Sequence, residues 1–184
     1  METSKAFMRR LNEGWFDKYA PEDKPGIDIG CQHDPLRECY RKYDLIFGDP
    51  DATFMENVED NSYFTVYSSH ILEHVMNPST AVKNWYRILQ PGGHLIILVP
   101  HRDLYEKKRE LPSNWNFDHK SMWLPDRSEV NGKTQTYCLK EVILNAGVPE
   151  NKIISYKVLA DGYSANGPGE HPQGEYSIEA IIQK

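Results

Sequence analysis

Two hydrophobic rhythms alternate along the chain. Met8, Leu11 and Trp15 recur at helical spacing and predict an amphipathic helix over residues 4–19. Pro21 and Pro25 end it. Gly-Ile-Asp-Ile-Gly-Cys at 26–31 reads as a short apolar strand, 36–42 as a short helix and 43–48 as a buried strand closed by Gly48-Asp-Pro-Asp. Residues 63–68 form another strand. Asn77 offers a helix cap and Pro78 a first-turn residue, after which Val82, Trp85 and Leu89 share one face. Pro91-Gly92-Gly93 stops that helix. Leu95 to Val99 is a continuous apolar run, the signature of a central strand covered on both faces. Leu139, Val142, Ile143 and Ala146 make a further helical face ended by Gly147. Strands at 152–159 and 176–182 close the chain around a Gly/Pro-rich loop, 162–174, expected to be mobile.

Strands alternating with helices predict an α/β fold: a doubly wound, Rossmann-like, mostly parallel sheet with helices on both faces and an antiparallel C-terminal edge. A length of 184 residues fits a single domain. Its expected parts are an N-terminal helix (1–25), a ligand-binding core (26–100), a polar insertion (101–135), and a C-terminal helix and strand pair (136–184). Three cysteines without a CxxC pair, and no secretory leader in the first ten residues, suggest a reduced, cytoplasmic setting. No apolar run is long enough for a membrane span. A net charge of −6 argues against nucleic acid as the main substrate.

The chemistry concentrates at strand ends. In open α/β sheets ligands sit there, and a glycine such as Gly30 permits close backbone approach. Asp28-Ile-Gly30-Cys31-Gln32 ends the first strand, Gly48-Asp49-Pro-Asp51-Ala52 the second, and Ser68-Ser69-His70-Ile-Leu-Glu73-His74 the third. The third is followed by a helix and then Leu89-Gln-Pro-Gly-Gly. Together these resemble a class I S-adenosylmethionine (SAM) methyltransferase of the type-11 kind, shortened in its first half and lacking the second glycine of the family's Asp-x-Gly-x-Gly pattern. The resemblance covers residues 14–99 well and the remainder poorly.

The resemblance implies SAM as cofactor and S-adenosylhomocysteine as product. Asp28, Gly30, Cys31, Asp49, Asp51, Ala52, Ser69 and His70 are then the cofactor contacts, with Asp44, Asp49 and Asp51 all open as the ribose acid. A base for a hydroxyl acceptor is sought among His101, His119 and His70. Arg102, Asp103, Tyr105 and Trp115 are candidate acceptor contacts. The expected reaction is O-methylation of a small polar or sugar-containing molecule, with a homodimer or partner subunit left open. Two competing readings stand beside it. His70-x-x-Glu73-His74 fits an HxxEH zinc hydrolase, but no third-ligand helix follows, so no metal is expected. The eroded glycine pattern also suits a non-catalytic, SAM-binding partner subunit.

Overall fold

A computed structural model describes residues 2–165, 167 and 169–184, the side chain of residue 2 excepted. Three short helices open the chain, α1 (Glu2–Lys5), α2 (Phe7–Asn12) and α3 (Trp15–Tyr19). The single helix expected over 4–19 is therefore broken. Gly14 takes φ +61° and redirects the backbone before Trp15. Met8 and Leu11 face solvent, while Arg10, Trp15 and Phe16 are buried.

The central sheet contains β1 (Gly26–Ile29), β2 (Arg41–Tyr43), β3 (Tyr63–Ser69), β4 (Leu89–Pro100), β8 (Ile153–Leu159) and β9 (Ser177–Gln183). Its strand order is β2-β1-β3-β4-β9-β8. The first four run parallel, and β9 and β8 are added antiparallel, as expected. Side-chain alternation assigns the two faces. Ile27, Ile29, Val66, Leu95, Ile97 and Val99 pack beneath α4 (Pro78–Ile88) and α6 (Leu139–Asn145). Tyr67, Ile96, Leu98 and Ile181 pack against Trp15 and Phe16 of α3.

The first half departs from expectation. Residues 36–42 form no helix: Leu36 gives its N–H to the Asp28 carboxylate, and Tyr40 bonds Thr65 Oγ1 before the chain enters β2. The buried strand expected at 43–48 is a 3-10 turn, Leu45–Phe47, capped by Asp44 and exposed, with Leu45 at 73 %. No strand lies between Tyr43 and Tyr63 among the described residues. Side chains of α4 hold that segment instead. Trp85 Nε1 donates to Ala52 O at 2.9 Å, Asn84 Nδ2 to Thr53 O at 3.0 Å, and the Arg87 guanidinium to Met55 O and Val58 O. These bonds satisfy carbonyls that a strand ladder would otherwise occupy.

The insertion is more ordered than its polarity suggests. It carries α5 (Arg102–Tyr105), β5 (Met122–Leu124) and β6 (Glu129–Asn131), which join β7 (Thr134–Cys138) in a second sheet of order β5-β7-β6. Trp123 buries itself in the main core, while Phe117 stays exposed. Residues 166 and 168 of the 162–174 loop lie outside the described residues. Among the described ones, Ser164 and Gln173 form an antiparallel bridge.

Candidate active site

A cleft of about 770 Å³ opens at the carboxyl ends of β1, β2 and β3. Gly30 forms its floor. Its φ is +77°, and a Cβ there would sit 1.9 Å from Ile71 Cδ1, so any other residue is strained and displaces the Ile71 side chain. Gln32 stands where the second glycine of the pattern is missing, yet takes φ +47°. Its N–H donates to Asp44 Oδ2 at 3.1 Å. The left-handed turn therefore persists without glycine, at a backbone cost of about 1 kcal/mol. Asp28 lines the cleft but is almost wholly buried, and burial pushes its carboxyl up to about 8 despite the 2.6 Å hydrogen bond from Leu36 N–H. Burial likewise pushes the Cys31 thiol up to about 12, so the sulfur stays protonated.

The three candidate ribose acids separate in space. Asp44 directly follows β2 and lines the cleft. Asp49 is absent from the lining and accepts from Arg41 at 3.0 Å and from the Asp44 N–H at 3.1 Å. Asp51 reaches the cleft beside Ala52, with one oxygen taken by the Thr53 N–H. Ser69 and His70 line it from the end of β3.

Beyond His70 the cleft meets a cluster of acids and imidazoles. His70 takes φ +58°, ahead of a 3-10 turn, Leu72–His74. His70 and His74 thus do not share a helix face, as HxxEH zinc binding requires. His70 Nε2 meets Ser177 Oγ at 2.8 Å, and His74 Nδ1 meets Asp118 Oδ2 at 3.1 Å. His119 arrives from the insertion. Its Nδ1 lies 3.0 Å from Glu106 Oε1 and its Nε2 3.9 Å from Glu73 Oε1. Glu73 is 1 % exposed, Glu106 2 % and His119 7 %. Burial alone would raise the Glu106 carboxyl, but hydrogen bonds from His119, Ser113 and the Asn114 N–H outweigh it and hold it below the usual range. Burial, with His119 nearby, lowers the His74 imidazole against the pull of Asp118.

The other candidates stand apart from the cleft lining, except Tyr105, which joins it. His101 caps α5, its Nδ1 accepting from the Asp103 N–H at 3.2 Å. Arg102 is buried in ion pairs with Asp103 and Glu129. Trp115 donates its Nε1–H to Tyr105 O at 3.1 Å and so pins the insertion. Glu106 escaped sequence reasoning, because a lone acid in a polar stretch carries no signal until the fold places it against His119.

A family model described as a methyltransferase domain matches residues 4–136, and the chain belongs to that family. It is a SAM-dependent methyltransferase with the class I, Rossmann-like fold. No curated protein matches it. Among solved structures, a SAM-dependent methyltransferase from Mesorhizobium loti superposes with a TM-score of 0.55 at 12 % identity, over 93 % of this chain and 96 % of that one. One from Thermotoga maritima gives 0.51 at 16 % identity, over 97 % and 98 %. A chain from the Haloferax volcanii complex of the Trm112 methyltransferase activator gives 0.53 at 13 % identity, over 99 % and 97 %. No described helix is long and apolar enough to cross a membrane.

Proposed function

We propose that this methyltransferase acts on a hydroxyl of a small polar or sugar-containing molecule. The carrying observation is that one cleft runs from the Gly30–Asp44 end to the His70–Tyr105–His119 end. SAM supplies an electrophilic methyl group on a sulfonium centre, and the protein's task is to position, desolvate and remove a proton. Asp44 accepts from the ribose hydroxyls. Gly30 gives the backbone close access, with Asp28 and Cys31 beside it, and Asp51 with Ala52 flanks the base. Ser69 and His70 line the opposite wall. Asp49 is committed to Arg41 and serves the turn.

At the acceptor end the His119 ring is oriented by Glu106 through Nδ1, which leaves Nε2 facing Glu73. This group of bases is suited to taking the hydroxyl proton. Tyr105 forms the apolar wall beside it.

Calorimetric titration of S-adenosylhomocysteine should show one-to-one binding. Asp44→Asn should weaken it ~10- to 30-fold, the worth of a hydrogen bond to a charged group. A panel of hydroxyl, amine and thiol acceptors, read by mass spectrometry, then tests the acceptor atom. Methylation confined to amines or thiols would overturn the hydroxyl assignment.

A further inference from the structure

We infer that Glu73, His74 and His119 bind one first-row transition-metal dication, zinc in kind, at the acceptor end of the cleft. Each of the three brings one donor atom to within 4.8 Å of the other two. All three side chains line the cleft, so an ion held there keeps positions open to a ligand.

Chemistry and geometry support the site. Two imidazoles and one carboxylate form a donor set that selects zinc, iron or cobalt over calcium or magnesium, which prefer oxygen. Tetrahedral bonds of ~2.05 Å place neighbouring donors about 3.3 Å apart. His119 Nε2 and Glu73 Oε1 stand at 3.9 Å, so small side-chain rotations close the shell. Outer partners are already built. His119 Nδ1 faces Glu106 and His74 Nδ1 faces Asp118, the arrangement in which a carboxylate fixes the tautomer and leaves Nε2 for the metal. Asp118 is itself tied to Lys120 at 2.7 Å. The third ligand does not come from a following helix. It comes from a loop 45 residues beyond His74, delivered by the insertion.

The ion's task rests on the proposed hydroxyl methylation, whereas its binding does not. A hydroxyl beside such an ion loses its proton more readily. With the ion bound, His119 and Glu73 act as its ligands rather than as the base, so the proton passes to water in the open cleft, and the oxygen's electron pair forms the new O–CH3 bond. The pair from the broken S–CH3 bond stays on sulfur, leaving a neutral thioether.

The test uses the full chain after dialysis against EDTA. Co²⁺ is titrated in, read by its visible absorption, and then displaced by Zn²⁺. One equivalent should bind saturably, His119→Ala and Glu73→Gln should each abolish saturation, and Glu106→Gln should weaken it ~10- to 100-fold. S-adenosylhomocysteine calorimetry on every variant reports that the fold and cofactor end are intact. No stoichiometric Co²⁺ binding with homologue binding preserved overturns the metal site and leaves the cofactor reading standing. Undiminished Co²⁺ binding in His119→Ala and Glu73→Gln also overturns it. Metal binding without homologue binding supports the site and overturns the cofactor assignment instead.

Discussion

The clusters of buried charge around Arg10 and around His119 differ in their access to the cleft. Arg10, Tyr67 and Glu179 meet behind the sheet. The guanidinium donates to Tyr67 Oη at 3.1 Å, pairs with Glu179 at 3.5 Å and lies 4.3 Å from the Trp15 ring. Glu73, Glu106 and His119 are as deeply buried, but their cluster opens on the cleft at the carboxyl ends of the strands. The closed cluster ties α2 to the sheet, with a cation matched to an acid. The open one groups acids around imidazoles where a ligand can reach. Burial and pairing are therefore no guide to function by themselves; access and the balance of donors are.

The largest expected effect tests that difference directly. Glu179→Ala strands a buried guanidinium and should cost ~3–5 kcal/mol in urea denaturation. Glu73→Gln removes a charge beside open space and should cost less than about 1 kcal/mol. Equal losses would erase the distinction between the two clusters.

Asp28 sharpens the same point, because it is buried yet lines the cleft. Its folded-state pKa of about 8 lies above the unfolded value near ~3.9. The folded state thus holds a proton that the unfolded state has lost, and this group makes stability fall as pH rises from about 4 to 8. Asp28→Asn removes that dependence. Its stability relative to the parent should rise between about pH 5 and pH 8 by a few kcal/mol, at roughly 1.4 kcal/mol for each pH unit crossed. A constant difference across that range would mean that Asp28 is ionised in the fold.

The smallest effects concern residues outside the cleft. Asp49→Asn should leave homologue affinity within about threefold, against the larger loss for Asp44→Asn. His101→Ala should leave turnover within about twofold, since its ring caps α5. A loss at His101 as large as at His119 would move the acceptor end away from the open cluster.

Much of the scaffold was legible in the chain. The Leu95–Val99 run, the Pro78 helix start and the two closing strands all carry local periodicity, and the structure repeats them. The Gly30 turn was legible too, because its need is local. The 43–48 segment misled because Leu45, Ile46 and Phe47 read as a buried strand, whereas they face solvent. Met8 and Leu11 misled similarly, since helical spacing does not say which face a break at Gly14 will turn inward. For the acids, residue type marked Asp44, Asp49 and Asp51 equally; position at the end of β2 and the Arg41 pairing tell them apart.

The sequence by itself determined the α/β alternation, the antiparallel edge and the glycine of the turn after β1, because each follows from nearest-neighbour sterics or a repeat of two or 3.6 residues. Only the tertiary structure decided that His119 and Glu106 join Glu73 and His74, and that Arg102 and Trp115 do not reach the cleft. Those meetings depend on how α5 and the second sheet dock onto the first, a long-range packing outcome that no local pattern encodes.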